Sequence, residues 1–240
     1  MGGRTQKSEN ASHGNATKGS VFGRRKAKPL RKTQAEIYHR MLPGLLIDVS
    51  GPAPANLREL FPGTVSSFVL EIGFGGGEHL VHRAQSETNT GFIGCEPFIN
   101  GMAKALVQIE ANAIDNIRVF DEDAALLLDW LPENSLSQVD LLYPDPWPKK
   151  RHWKRRFVNS ENLRRIHRAL KPGGEFRFAS DIADYVEWTQ DHVAEFGRFD
   201  RVRQPGTDEH IAWDDWYSTR YEKKAVRQGR EPSYLVFRCK

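Results

Sequence analysis

Residues 67–84 read SFVLEIGFGGGEHLVHRA. Phe68 to Ile72 is a short apolar run bounded by turn formers, the pattern of a strand buried on both faces. Gly73-Phe74-Gly75-Gly76-Gly77 predicts a tight turn, because glycine reaches backbone angles that other residues avoid. Glu78 to Ala84 predicts the helix that follows. Strand, tight turn and helix form the first half of a βαβ unit, and the alternation continues downstream. Further strands are expected at 91–96, 117–120, 139–143 and 175–179, and two more at 198–204 and 234–238. Phe98, Met102, Ala105, Leu106 and Ile109 recur at helical spacing, and helices are expected at 124–130, from Asn159 or Ser160 to about Leu170, and at 182–196. The chain is therefore expected to be α/β, with a doubly wound parallel sheet.

Upstream of this stretch, residues 34–60 predict one or two short helices, interrupted by Pro43-Gly44 and by Gly51-Pro52-Ala53-Pro54. Residues 1–20 have no aromatic and no branched aliphatic side chain, so disorder is expected there. Lys18 to Lys32 holds seven Lys/Arg and no acid. A phosphate-binding arm and a solubilising tail are both open readings of that segment. The expected organisation is a disordered basic tail over 1–32 and one folded domain over 33–240. A chain of 240 residues is long enough for one sizeable core. Its two cysteines, Cys95 and Cys239, form no CxxC, which argues against a disulfide framework or a zinc site and suits a reducing compartment. No metal is expected. No apolar run approaches membrane-spanning length and no secretory leader is evident, so the expectation is a cytoplasmic protein without a membrane partner. The oligomeric state is open, with a monomer the favoured expectation.

Each of the first three strands ends near an acid. Glu71 precedes the glycine turn by two residues, and Gly73 and Gly75 set a GxGxG spacing rather than the GxGxxG that cradles a pyrophosphate. A carboxylate there would repel pyrophosphate but suits a ligand with a cationic end, such as the amino group and sulfonium of S-adenosylmethionine. Glu96 ends the second strand, where an acid can accept both hydroxyls of a ribose. Asp123 follows the third strand, where an acid commonly faces adenine. Any one of these could simply cap a helix; all three together point to a nucleoside cofactor.

The fourth strand leads into residues 141–158, LLYPDPWPKKRHWKRRFV. Pro144, Pro146 and Pro148 end any regular structure. They frame one carboxylate, Asp145, and one large aromatic, Trp147. Six Lys/Arg follow over residues 149–156, with His152 and Trp153 among them. An acid, a stacking surface and a cationic tract at a strand's carboxyl end predict a polyanionic substrate. Lys149, Arg151, His152, Trp153, Lys154, Arg155 and Arg156 are the candidate RNA contacts. Trp213, Trp216 and Tyr217 are expected to be packing residues more than base platforms.

Glu71-x-Gly73-x-Gly75, Gly94-Cys95-Glu96-Pro97, Tyr143-Pro144-Asp145-Pro146-Trp147-Pro148-Lys149-Lys150-Arg151-His152, Ser180-Asp181 and Thr219-Arg220-Tyr221-Glu222 together resemble the bacterial tRNA (guanine-N7)-methyltransferases. The resemblance covers roughly residues 35–240 and implies a Rossmann-like, mostly parallel seven-stranded class I methyltransferase fold. It implies methyl transfer from S-adenosylmethionine to guanosine 46 in the variable loop of tRNA. It further implies that Glu71, Glu96 and Asp123 bind the cofactor and that Asp145 is catalytic and borders it. Lys149, Asp181, Thr219, Arg220, Tyr221 and Glu222 are implied to contact the target nucleotide. Arg220 stands where the family usually has lysine, which keeps the charge and changes the geometry. Methylation of an exocyclic amine is a rival reading, disfavoured because Asp145 replaces the asparagine such enzymes carry. A purely RNA-binding protein is another, disfavoured by the intact acids at 71, 96 and 123.

Overall fold

The computed structural model describes residues 28–202 and 209–240. The expected disorder over 1–20, and most of the basic segment through Lys32, lie outside those residues. Seven strands form one sheet: β1 Ser67–Ile72, β2 Thr90–Cys95, β3 Ile117–Phe120, β4 Leu136–Leu142, β5 Leu170–Ser180, β6 Phe199–Arg201 and β7 Ser233–Cys239. Their order is β3-β2-β1-β4-β5-β7-β6. All neighbours pair in parallel up to β5, and β7 runs antiparallel to both β5 and β6. The expectation of a doubly wound, mostly parallel seven-stranded sheet is met. The proposed strand at 198–204 is shorter, and residues 203 and 204 lie outside the described part.

Among the described residues, seven α-helices accompany the sheet: α1 Lys32–Leu45, α2 Glu78–Ser86, α3 Ile99–Ala111, α4 Ala124–Trp130, α5 Ser160–Ala169, α6 Ala183–Phe196 and α7 Arg220–Arg227. Strand alternation sorts them onto two faces. Val69 and Phe92 point into a core with Leu80 and Val81 of α2 and Met102 and Leu106 of α3, flanked by α1. Leu70, Ile72 and Ile93 point the other way, toward Leu127 of α4, Ile166 of α5 and Tyr185 of α6. Each such aliphatic side chain, fully withdrawn from water, contributes about 1.5–3 kcal/mol. Charged pairs interrupt this apolar interior. Asp140, on β4 and 1% exposed, receives Arg83 Nη1 of α2 at 3.1 Å.

Three local expectations change. Helix α1 continues through Pro43 to Leu45 instead of breaking there. The proline forfeits one helical N–H bond, and Leu46, just past the helix end, bridges Val119 of β3. Strand β5 begins at Leu170, directly after α5, rather than beyond Pro172-Gly173-Gly174. The register shifts across this segment, which accommodates a proline without a donor. Helix α7 is new: RYEKKAVR carries no apolar stripe, and its buried residues are Glu222 and Ala225.

Candidate active site

Parallel sheets keep ligands beyond their carboxyl edge, where the strand order reverses. Here that point lies between β1 and β4. A cavity of about 510 Å³ opens there, a size typical of small-molecule sites. Gly73 and Gly75 after β1, Glu96 after β2, Asp123 after β3 and Asp145 after β4 all line it. Gly73 (φ 72°) and Gly75 (φ 60°) adopt left-handed backbone, so the turn requires glycine at both positions. The first turn of α3 packs against it so closely that a Cβ on Gly101 would lie 2.3 Å from the Gly75 carbonyl oxygen.

Glu96 is held by that same turn. Its Oε2 accepts the Gly75 N–H at 2.7 Å and its Oε1 the Phe98 N–H at 2.9 Å. Burial pushes its pKa up from 4.5 to about 7, against those two hydrogen bonds and the Arg220 charge, with Asp145 adding to the rise. Asp123 serves both expectations for it: Oδ1 caps α4 through the Ala125 N–H at 2.9 Å, and the residue lines the cavity. Glu71 is placed differently. It is buried and does not line the cavity; its Oε2 meets Nδ1 of His79, on α2, at 2.9 Å. Burial alone would lower the His79 pKa, but the Glu71 charge and hydrogen bond, with Asp140 behind them, hold it above the ordinary value against Arg83.

Comparison with known proteins identifies the family. A family model described as "Putative methyltransferase" matches residues 66–235. The tRNA (guanine-N(7)-)-methyltransferase of Agrobacterium fabrum is 56% identical over 218 residues, 91% of this chain and 94% of that protein. The protein of the same name from Rhizobium meliloti is 57% identical over 219 residues, with coverage of 91% and 94%. The chain belongs to this methyltransferase family. Among solved structures, the 16S rRNA methyltransferase KamB superposes with a TM-score of 0.54 at 15% identity, covering 79% of this chain and 95% of its own. The aminoglycoside resistance methyltransferase NpmB1 gives 0.50 at 21%, covering 74% and 89%. These two share the class I methyltransferase fold.

The loop after β4 carries the Pro-Asp-Pro-Trp run in a constrained form. Tyr143 (φ 50°) and Trp147 (φ 44°), on either side of Asp145, both take left-handed backbone, which is costly for aromatic residues and persists only when the surroundings enforce it. Asp145 lines the cavity, and partial burial raises its pKa. Trp147 stacks on His152, ring centroids 5.9 Å apart and planes within 6°, and the Arg155 guanidinium lies 5.0 Å from the Trp147 ring centre. Arg155 lines the cavity too. Desolvation and the surrounding cations Arg155, Arg151, Lys149 and Lys154 lower the His152 pKa.

Lys149, Lys150, Arg151 and Lys154 are exposed around a short 3-10 turn, Lys150–Arg155. The other members of the expected RNA-contacting tract are less open: His152, Trp153 and Arg155 are half-buried and Arg156 is buried. Arg156 is 2% exposed, enclosed by the rings of Trp153, Tyr185 and Trp188 at 4.7, 4.9 and 5.1 Å. Trp153 is half-buried against Trp188 and Arg156, and its indole nitrogen is shut away from solvent. Arg156 therefore offers no open surface, and Trp153 only part of one. They face inward because the 3-10 turn closes back onto α6.

Among the family's last motif residues, only Tyr221 lines the cavity. Thr219 caps α7, accepting the Glu222 N–H at 3.2 Å. Glu222 is buried, and its carboxylate takes the Trp216 indole N–H at 3.0 Å and the Tyr234 hydroxyl. Trp213, Trp216 and Tyr234 meet edge to face, so the tryptophans pack as expected. Arg220 crosses the glycine turn, its Nη2 3.0 Å from where a Gly75 Cβ would sit. Asp181 is ion-paired with Arg230. The sequence reading missed Phe98 and Tyr143, which add aromatic wall to the cavity. Their positions directly beyond β2 and β4 were the available signal.

Proposed function

We propose that this protein transfers the methyl group of S-adenosylmethionine to N7 of guanosine 46 in the variable loop of tRNA, in the cytoplasm. The observation that carries the reading is one cavity in which Glu96, Asp123 and Asp145 converge from three strand ends beside Tyr143 and Trp147. The residues fit the cofactor: Glu96 for the ribose hydroxyls, Asp123 for the adenine, and the Gly73–Gly75 backbone for close approach of the amino-acid end. When bound, the cofactor supplies an electrophilic methyl group on a sulfonium.

Guanine N7 bears no proton, so no general base is required at the nucleophile. What the reaction requires is a base held in line and a site that tolerates its developing positive charge. Asp145 can do both, accepting from guanine N1–H and N2–H₂ and balancing the charge. The exposed Lys149, Lys150, Arg151 and Lys154 are suited to the flanking phosphates, and Trp147 offers a stacking face at the rim. The test is incubation of an unmodified tRNA transcript with protein and S-adenosylmethionine, followed by nucleoside mass spectrometry. 7-Methylguanosine should form, and should vanish when guanosine 46 is replaced by adenosine. Its absence with the first transcript, or its persistence with the second, defeats the proposal.

A further inference from the structure

Arg156 lies in the basic run after the Pro-Asp-Pro-Trp motif, yet its geometry is that of an interior residue. Among the described residues its guanidinium makes no salt bridge, although the Asp184 charge acts on it. Nε donates to the Pro146 carbonyl at 3.0 Å, and Nη1 to the Asp184 carbonyl, in the first turn of α6, at 3.1 Å. Three aromatic rings surround it, and Nη2 is buried without a hydrogen-bond partner. A buried cation so provided for is expensive unless its contacts fix something that matters. The bond to Pro146 closes the eleven residues Pro146 to Arg156 onto themselves and anchors them to α6. The clasped carbonyl belongs to the peptide joining Pro146 to Trp147, one residue past Asp145, and Trp147 has a left-handed backbone that needs external enforcement.

We infer that Arg156 is a positioning residue: its planar guanidinium clasps the Pro146 carbonyl to α6, and thereby aims Asp145 and Trp147 at the bound base. It touches neither cofactor nor nucleic acid. The two functions of the basic tract are thus divided within a few residues. Lys150, Arg151 and Lys154 face solvent on the loop's outer surface, while Arg156 holds the loop's two ends from within. A displacement of about 1 Å at a reacting centre can cost on the order of 10² in rate, so loss of the clasp should be felt in turnover while binding stays intact.

This inference rests on the proposed methyl transfer, and its test separates the two. R156M and R156K are compared with wild type by single-turnover methylation at saturating enzyme, cofactor titration calorimetry, and tRNA affinity over a range of salt. R156M should lose at least tenfold in single-turnover rate. Its cofactor Kd should stay within threefold of wild type, and the slope of log affinity against log salt should not change. R156K keeps the charge in the aromatic cage but lacks the fork, and should be at least threefold slow; it also serves if R156M does not fold. A salt slope reduced by about 0.9 would make Arg156 a phosphate contact and overturn the inference. So would a wild-type rate in R156K. If the wild-type protein forms no 7-methylguanosine, the functional reading fails, and trypsin cleavage between Lys149 and Arg155 then decides the clasp. Faster cleavage in either variant supports it; an unchanged rate overturns it.

Discussion

Glu96 should make cofactor binding depend on pH. Its carboxyl accepts the N–H groups of Gly75 and Phe98, and burial raises its pKa from 4.5 to about 7. Two charged groups bear on it, Arg220 from α7 and Asp145 from the loop after β4, with opposite effects. Ribose hydroxyls donate, so they favour the ionised carboxylate. With a pKa of about 7, roughly one protein molecule in eleven is ionised at pH 6 and roughly ten in eleven at pH 8. Apparent affinity scales with the competent fraction, so the Kd at pH 6 should be about tenfold weaker than at pH 8. The sign for folding is the reverse. A carboxyl whose pKa is raised in the folded protein binds more protons folded than unfolded. Stability without ligand should therefore fall as pH rises from about 4.5 to about 7 and level off above. Calorimetric titration with S-adenosylmethionine at pH 6, 7 and 8 reads the first effect. Glu96→Gln reports any titration of the cofactor's own amino group and should flatten the remainder. A wild-type Kd constant across this range, or the same slope in Glu96→Gln, would refute the reasoning.

Asp145→Asn should keep tRNA affinity near wild type and lose on the order of 10²–10³ in single-turnover rate; a wild-type rate in Asp145→Ala would remove this carboxylate from the mechanism. Gly101→Ala forces a methyl to within 2.3 Å of the Gly75 carbonyl oxygen, so it should weaken cofactor binding at least tenfold by calorimetry. An unchanged Kd would mean that the glycine turn does not form the cofactor's seat. Replacing Lys150, Arg151 and Lys154 together by glutamate should lower the salt slope of tRNA binding by about 2.7, or 0.9 for each phosphate contact. An unaltered slope would place the tRNA elsewhere.

Strands and their order of appearance were legible because β1 and β2 are buried and apolar, and β3 to β5 each keep a short apolar stretch near a turn residue. Helix α7 was not legible. RYEKKAVR has no periodic apolar face, and what holds it is a buried carboxylate, Glu222, answered by Trp216 and by Tyr234 from β7. A buried carboxylate inside a charged run is not marked by any apolar periodicity. Arg156 was opaque for a related reason. In a run of six cations nothing marks one as interior, and two of its three rings, Tyr185 and Trp188, lie about thirty residues further along the chain. Pro43 misled in the other direction, since a proline's cost depends on where in the helix it falls.

The acids make the same point about the site itself. Glu71, Glu96, Asp123, Asp140 and Asp145 all lie on β1 to β4 or just beyond their carboxyl ends, and sequence position alone treats them as equals. The fold sorts them by what stands opposite. His79 and Arg83, four residues apart on α2 and so on one helix face, reach back to the sheet and engage Glu71 and Asp140 from behind the glycine turn. Glu96 and Asp123 meet only backbone N–H groups among their hydrogen-bond donors, and Asp145 is raised by burial alone. The acids answered by cationic or imidazole side chains brace the turn. Those not so answered line the cavity, where an incoming ligand can supply the missing donors. A carboxylate's use is therefore decided by its neighbour on the next helix rather than by its place at the strand end.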